Sequence, residues 1–432
     1  MVEPSDCTLE KCQFRGWPAY RLSNGLVSLV AVPEIGGRIM ACDLGDYPYL
    51  FVDPDLAGKL FSAEENQGDG TLAAWKNYGG DKTWPSPQGW DNEDQWHGPP
   101  DPLLDTGRYQ VTGCQPGPDG PTHEMTSPAD PRTGVQITRR VRLLPGSGRV
   151  QLDLAFRNIS DRPRRWSIWD VVQLRAERTL PDGRLAAEDQ CSMTAPLNPA
   201  SRFEKGYWVM FGAEDNPQWS SDPGSGLVEA HYQWEIGKIG IDSSAGWIAF
   251  SNAAQGYAFA GRFTHFAGQE YPDQGSTVEC WTIGRGKVAN LDYEQSRIYL
   301  MEAEILSPFY TMQPGQSSRF QIEWGVCRCC DKILDVQDGG CISRRIRLQP
   351  VSGGLQLTGT FGVFDLGRLA LAWRDRAGNT LHQQTLQPVS PLDLVRLDLA
   401  VQPPEGAQTL ALGIITGSSA WQSLGVYTLP GA

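Results

Sequence analysis

The sequence predicts an all-β protein, and three observations support this fold class. Apolar and polar residues alternate with a period of two along Val135–Leu143 and again, after a tight turn, along Val150–Phe156, which is the pattern of half-buried antiparallel strands. Asn24-Gly25 lies between two apolar runs, and that dipeptide favours a hairpin. Before Asp335 no stretch convincingly predicts a helix. We therefore expect a large antiparallel structure of roughly fifteen or more strands, given usual strand lengths.

The first strands surround the hairpin signal. Tyr20–Ile39 predicts two strands on either side of Asn24-Gly25 and a third that starts near Gly36-Gly37. After residue 226 strand-like runs resume and continue to the neighbourhood of Cys327. Between them, Pro181–Gly226 is expected to be a long irregular region.

Arg164–Leu174 predicts one strand with two chemically different faces. By parity Trp166 and Asp170 share one face, and Trp169 and Gln173 share the other. One face would therefore present an indole together with a carboxylate.

Trp75–Pro100 is the most unusual segment of the chain. Glycines and prolines exclude a helix and make it a poor regular strand, so we expect a long loop. It holds four of the 15 tryptophans, among amide, carboxylate and lysine side chains. Such a mixture is typical of a site for a polar ligand with apolar ring faces, and sugars are ligands of this kind. The alternative is that these indoles are core residues packed beneath the loop.

The chain divides into a large part and a smaller one. Residues 1–335 are predicted to form the large β domain, and residues 342–432 an accessory β-sandwich, because short alternating runs there are separated by turns at regular spacing. Asp335–Cys341 is predicted to be a hinge. A lectin-like role for the smaller domain stays open.

Composition limits the partners that the protein is expected to have. The formal charge of −13 and the pI of about 4.9 argue against nucleic acid or an anionic membrane. The beginning of the sequence lacks a secretory pattern, and no apolar run approaches the roughly 18 residues that a spanning helix requires. We expect a cytoplasmic protein whose partner is a small-molecule carbohydrate, with its oligomeric state open.

Ten cysteines are present, and four of them cluster near one another: Cys327, Cys329, Cys330 and Cys341. A zinc site requires a second Cys-x-x-Cys pair or a histidine pair at suitable spacing, and the neighbouring sequence does not supply one. We expect free structural thiols, no metal and no cofactor. A thiol or metal sensor is the weaker alternative.

Three pieces of the sequence together resemble the galactose-mutarotase-like (aldose 1-epimerase-like) superfamily. The opening run NGLVSLVAVPEIGGRI is similar to its first strands, and YLMEAEILSPFYTMQPGQSSRFQIEW is similar to its closing strands. The third piece, WKNYGGDKTWPSPQ, resembles the signature of an uncharacterised bacterial family placed within that superfamily. The resemblance spans Trp17 to Cys327 and implies a supersandwich of two large antiparallel sheets.

The resemblance also implies an acid–base site. Aldose 1-epimerases of this fold use a late-strand glutamate as base, which corresponds to Glu302 or Glu304; parity puts both on one face. The histidine motif of the middle strand is absent, and RRWSIWDVVQL stands in its place. Asp170, if burial keeps its proton, or His97 is then the candidate acid.

The remaining candidates bind substrate. Lys82, the positional substitute for a mutarotase arginine, and Gln88 are expected to hold hydroxyl groups, with Trp84, Trp90 and Trp96 as the stacking wall and Asn77 and Tyr78 beside them. The sequence thus favours a carbohydrate-active protein, most concretely a mutarotase-like or epimerase-like enzyme. The missing histidine keeps open a carbohydrate-binding protein without catalysis.

Overall fold

The computed structural model describes residues 7–67, 75–89, 96–97, 101–117, 119–288, 291–292 and 297–430; for residues 67, 88–89, 96–97, 288 and 291–292 it describes the backbone alone. Strands dominate the described chain, and the only two α-helices within it, α1 (Ala63–Gln67) and α2 (Pro102–Thr106), have five residues each. Single 3-10 turns occur at Pro54–Leu56 and Asp273–Gly275. The prediction of no helix before Asp335 is thus wrong for two short segments, too short to show an apolar periodicity.

The strands of the large part are, in chain order, β1 (Thr8–Phe14), β2 (Trp17–Ser23), β3 (Val27–Val32), β4 (Arg38–Leu44), β5 (Tyr47–Pro48), β6 (Asp81–Ser86), β7 (Gln88–Gly89), β8 (Trp96–His97), β9 (Gln110–Gln115), β10 (Thr122–Thr126), β11 (Val135–Leu143), β12 (Arg149–Asn158), β13 (Arg164–Arg175), β14 (Glu177–Thr179), β15 (Leu185–Ala187), β16 (Cys191–Pro196), β17 (Trp208–Phe211), β18 (Trp219–Asp222), β19 (Leu227–His231), β20 (Gly237–Ile241), β21 (Trp247–Asn252), β22 (Tyr257–Phe263), β23 (Val278–Thr282), β24 (Lys287–Val288), β25 (Leu291–Asp292), β26 (Leu300–Leu306), β27 (Tyr310–Met312) and β28 (Ser317–Arg328). The later strands are β29 (Asp335–Gln337), β30 (Gly340–Val351), β31 (Gly354–Val363), β32 (Gly367–Arg374), β33 (Thr380–Val389), β34 (Leu394–Val401), β35 (Thr409–Thr416) and β36 (Trp421–Thr428).

Two large antiparallel sheets form the first part of the chain. The first sheet has 12 strands in the order β1-β2-β3-β4-β6-β13-β26-β23-β20-β17, with β5 beside β4 and β27 beside β13. The second sheet has 10 strands in the order β18-β19-β16-β21-β22-β28-β12-β11-β10-β9. A continuous apolar core, which includes Val172, Phe250 and Trp324, lies between them. This is the supersandwich that the sequence predicted.

The later strands form two four-stranded sheets, β29-β30-β31-β34 and β33-β32-β35-β36. Their shared core contains Leu357, Phe361 and the buried Trp373. The small β-sandwich after the supersandwich is therefore confirmed, while its status as a separate domain stays a prediction. The expected hinge is a hairpin instead: β29 pairs with the start of β30, and Val336 and Cys341 are buried.

Two segments that were expected to be irregular contain strands. Asp81–Ser86 is strand β6, fully paired with β13. On its other side β6 pairs with β4 at Asp81 alone, so the missing N–H of Pro85 leaves no ladder bond unmade. Pro181–Gly226 contains β15 to β18, where short strands between turns gave no clear alternation.

Candidate functional site

The central strands of the first sheet have two faces with different surroundings. Trp166 donates from Nε1 to the carbonyl oxygen of Thr133, 3.0 Å away, next to β11 of the second sheet. Arg139 of β11 pairs with the carboxylate of Asp81. The face that carries Trp166, Asp170 and Asp81 therefore packs on the second sheet.

We call the opposite face of these strands the outer face. Register fixes its members, because residues paired across antiparallel strands lie on the same face: Val171 pairs with Lys82 and Glu304, and Gln173 pairs with Glu302. The outer face carries the side chains of Lys82, Trp84, Trp169, Gln173, Lys238, Glu279, Glu302 and Glu304.

An ion pair lies at the centre of the outer face. Lys82 Nζ is 3.0 Å from Glu302 Oε1, and the same oxygen accepts a 2.5 Å hydrogen bond from Nε2 of Gln173. The Lys82 side chain is 2% exposed and that of Glu302 is 13% exposed. A lysine and a glutamate from strands distant in sequence are thus held together, with the carboxylate the more open of the two.

Indole rings surround the lysine. Lys82 Nζ lies 4.8 Å from the ring centroid of Trp84 and 5.7 Å from that of Trp75, within the range of cation–π attraction. Trp84 makes edge contacts with Trp75 at 5.8 Å and with Trp169 at 5.5 Å. Asp105 of α2 fixes Trp75 by accepting from its Nε1 at 2.7 Å.

A second charged cluster lies beside the first. Lys238 Nζ is 2.6 Å from Glu279 Oε2 and 2.8 Å from Glu304 Oε2. Trp169 Nε1 donates to that same Glu304 oxygen at 2.8 Å. Glu304 therefore links the second cluster to the indoles that surround Lys82.

Burial and neighbouring charges shift these groups in different directions. Burial lowers the pKa of Lys82, although Glu302 opposes the shift. Burial raises the pKa of Glu304 and raises that of Glu279 further, against the effect of Lys238. For Lys238 burial lowers the pKa, but the two glutamates outweigh it and the net shift is upward. Lys82 is thus the lysine that releases a proton more readily.

Several acceptor atoms on the outer face have no hydrogen-bond partner among the described residues. They include Oε1 of Gln173, Oε1 of Glu279 and Oε1 of Glu304, all on buried side chains, and Oε2 of Glu302. An unsatisfied buried acceptor costs free energy unless a donor reaches it. Of these side chains Glu302, 13% exposed, is the one open to a ligand that carries hydroxyl groups.

A cleft adjoins this face along β13. Arg175, two residues beyond Gln173 and on the same face, lines a space of about 1030 Å³ together with Phe51 and Tyr299. This volume is at the upper end of that of small-molecule sites, roughly 300 to 1000 Å³.

The structure does not bring Asp170 to this site. Its carboxyl group lies in the core beside Asp81, accepts a 3.0 Å hydrogen bond from Thr83 Oγ1, and is 0% exposed. Burial, and then the charge of Asp81, raises its pKa well above the usual range. A residue of the inner face cannot act with Glu302 on one substrate.

The other predicted binding residues divide into two groups. Tyr78 is buried in a separate cluster against Trp17, with ring centroids 5.9 Å apart, and the Asn77 side chain caps the turn at Gly79, so neither lies with Lys82. Trp90 and the side chains of Gln88, Trp96 and His97 lie outside the described residues. Lys82, Trp84, Glu302 and Glu304 are the predicted residues that the structure brings together.

Sequence reasoning missed several residues of the site: Trp75, Trp169, Gln173, Lys238 and Glu279. Parity along β13 already put Trp169 and Gln173 on one face, and that was the available signal. The sequence contains no such signal for Lys238 and Glu279, because their position depends on the pairing of β20 with β23 and of β23 with β26.

The cysteine cluster lies elsewhere. Cys327, Cys329 and Cys341 are buried at the junction with the small sandwich, and all ten cysteines are free. Burial raises the pKa of Cys329 to about 12 and that of Cys341 well above its usual range, which is typical of unreactive structural thiols. The described residues include no group of three or more His, Cys, Asp or Glu side chains placed to hold a metal ion. They also include no helix long and apolar enough to cross a bilayer.

Comparison with known proteins assigns a family. Residues 19–327 match the model of a family described as Domain of unknown function (DUF4380). The chain belongs to the DUF4380 family. The resemblance seen in the sequence to a family of unknown function is thereby confirmed.

Solved structures similar to this DUF4380 protein show only low identity. A galactose mutarotase-like protein from Clostridium acetobutylicum is 10% identical with a TM-score of 0.45, and the match covers 75% of this chain and 99% of that one. A galactose mutarotase-like protein from Lactobacillus casei is 10% identical with a TM-score of 0.44, covering 71% and 99%. The Slr1438 protein from Synechocystis is 12% identical with a TM-score of 0.46, covering 73% and 99%. No curated protein matches the chain significantly.

Proposed function

We propose that this protein binds a sugar over the outer face of the first sheet and interconverts its anomers. The observation that carries the proposal is the Lys82–Glu302 pair, an acid and a base 3.0 Å apart among indole rings. A carboxylate and an amine are side chains that can serve as general base and general acid.

The chemistry assigns one proton transfer to each residue. Glu302 takes the proton of the anomeric hydroxyl through its unpartnered Oε2, while Lys82 protonates the ring oxygen. The bond between C1 and the ring oxygen breaks and a carbonyl forms at C1. Rotation about C1–C2 and closure by the reverse transfers give the other anomer. The lowered pKa of Lys82 favours its action as an acid near neutrality.

The surroundings of the pair suit a sugar. The half-buried ring of Trp75, packed against the buried Trp84, provides stacking surface for C–H groups. The carboxylate of Glu302, whose side chain is 13% exposed, can accept from a hydroxyl donor. The described cations of the outer face are all paired with carboxylates, Lys82 with Glu302, Lys238 with Glu279 and Glu304, and Arg175 with Glu177. The absence of an unpaired cation among them favours a neutral sugar over a phosphorylated one.

Sugar binding without turnover is the second candidate. It is favoured because no histidine side chain among the described residues lies on the outer face, whereas the indoles and free acceptors serve binding equally well. Proton NMR after addition of pure α-anomers of a panel of aldoses separates the two. Anomer exchange faster than the spontaneous rate supports the enzyme; saturable chemical shift changes at the spontaneous rate support the binding protein.

A residue change tests the assignment of the base. We expect Glu302→Gln to reduce the catalysed rate by about 100-fold or more, which is the usual range for loss of a general base. Glu10→Gln, at an exposed position of β1, is the matched control and should leave the rate unchanged. A Glu302→Gln protein of full activity would overturn the mechanism.

A further inference from the structure

A strongly basic groove lies on the small sandwich, outside the residues that the family model matches. It runs over the sheet β29-β30-β31-β34 and has a volume of about 670 Å³. Four arginines line it: Arg344, Arg345, Arg347 and Arg396, all exposed. The chain as a whole has a net charge of −13, so the positive charge of this groove contrasts with the charge of the rest of the protein.

The local backbone brings these arginines to one surface. Thr360 of β31 pairs with Arg344 on one side and with Arg396 on the other. Two register shifts in β30, before and after Arg344, set Arg347 opposite Thr358, and irregularities of this kind redirect side chains. Two strand spacings separate the backbones of Arg344 and Arg396, which is roughly 10 Å.

The positive charge of the groove is largely uncompensated. Within the described residues, no carboxylate forms an ion pair with Arg344, Arg347 or Arg396, and Arg345 donates only to the carbonyl oxygen of Ser225, at 2.6 Å. The one carboxylate that lines the groove, Asp398, accepts a hydrogen bond from Gln356. The guanidinium groups are therefore available to an external anion.

We propose that this groove binds an acidic sugar chain bearing carboxylate or sulfate groups. Guanidinium groups bind such oxyanions in a bidentate manner, and arginines on two strands can hold anionic groups on successive sugar units. The hydroxyl group of Thr358 in the lining can bond neutral parts of the chain. The volume exceeds what a single sulfate or phosphate fills and lies within the range of larger ligands.

The lining favours a glycan over a nucleic acid. No aromatic side chain is among the described residues that line the groove, and stacking on aromatic rings supplies much of the affinity for single-stranded nucleic acids. The overall negative charge also opposes a long polyanion that extends beyond the groove. The proposal does not depend on the activity of the outer face.

Titration calorimetry on the full chain tests the proposal. The probes are an oligogalacturonate and a heparin-derived oligosaccharide, which separate carboxylate from sulfate recognition, with a neutral malto-oligosaccharide of equal length for comparison. We expect saturable binding of at least one acidic probe, weakened by added salt, and no binding of the neutral one.

Paired double variants locate the site. Arg344→Ala with Arg396→Ala should weaken binding by about tenfold, since two exposed charge contacts are lost. Arg368→Ala with Arg376→Ala removes the same charge from exposed positions outside the lining and should change the affinity less than about twofold. Equal thermal unfolding midpoints verify that both variants fold. Binding of neither acidic probe, equal losses in both double variants, or tighter binding of single-stranded DNA or an acidic peptide would overturn the proposal.

Discussion

Lys82 and Glu302 stabilise the fold only as a pair, because either charge alone would be left in a largely buried position. We expect Lys82→Met to lower the free energy of unfolding by about 3 kcal/mol, since removing one member of a buried pair leaves an uncompensated charge. The double variant Lys82→Met with Glu302→Gln should recover most of that loss. Urea unfolding of the two variants and the parent measures both effects. A double variant as unstable as the single one would show that the pair is not coupled.

Asp170 makes stability depend on pH. Its folded-state pKa is raised well above 3.8 by burial and by Asp81, so the folded chain keeps a proton that the unfolded chain releases. Its contribution to stability is complete below about pH 3.8 and is lost as pH rises toward the folded-state pKa. We expect Asp170→Asn to reduce this loss of stability with rising pH. Unfolding at a series of pH values above 4 measures it. The exposed Asp393→Asn is the control, and identical pH profiles for Asp170→Asn and the parent would contradict the argument.

At the scale of elements, the two faces of strand β13 have different roles. The inner face contributes to stability alone, and the outer face contributes to stability and to binding. Trp166 and Trp169 are both buried and each donates one hydrogen bond, the first to Thr133 at 3.0 Å and the second to Glu304 at 2.8 Å. Replacing either by phenylalanine removes a similar bond, so both variants should lose about 1 kcal/mol or more of stability. Only Trp169→Phe should also weaken sugar binding, by about tenfold, because its ring contacts Trp84 and its bond orients Glu304. Saturation titrations by NMR compare the two, and an equal loss of affinity in Trp166→Phe would refute the division of faces.

The sequence predicted much of this element and less of its surroundings. Alternation along β13 predicted which side chains share a face, and parity placed Glu302 and Glu304 together correctly. Local patterns do not say which face meets the second sheet, so Asp170 was assigned to the wrong side. Strand β6 was missed because Pro85 disfavours a strand, and only the pairing of β6 on one side makes that proline harmless.

At the scale of the whole molecule, the small sandwich is packed directly on the second sheet. Arg149 of β12 pairs with Glu323 at 2.6 Å and with Asp365 at 2.9 Å, and so joins the two parts of the chain. Phe364 is fully buried beside it, with the Arg149 guanidinium 5.1 Å from its ring centroid. Gly325 permits this contact, since a Cβ there would lie 2.6 Å from the Phe364 ring. The two parts should therefore unfold cooperatively rather than as independent modules.

This packing predicts that a change in the small sandwich destabilises the large sheets. Phe364→Ala should lower the free energy of unfolding by about 3 to 5 kcal/mol, the usual cost of removing a buried phenylalanine. Thirteen of the 15 tryptophans precede Ile342, so intrinsic fluorescence reports mainly on the large part, and its thermal midpoint should fall. Leu412→Ala, in the core of the small sandwich, should lower the same midpoint, because parts that unfold cooperatively share one transition. An unchanged fluorescence midpoint in Phe364→Ala would mean that the junction contributes little and that the large sheets are stable without it.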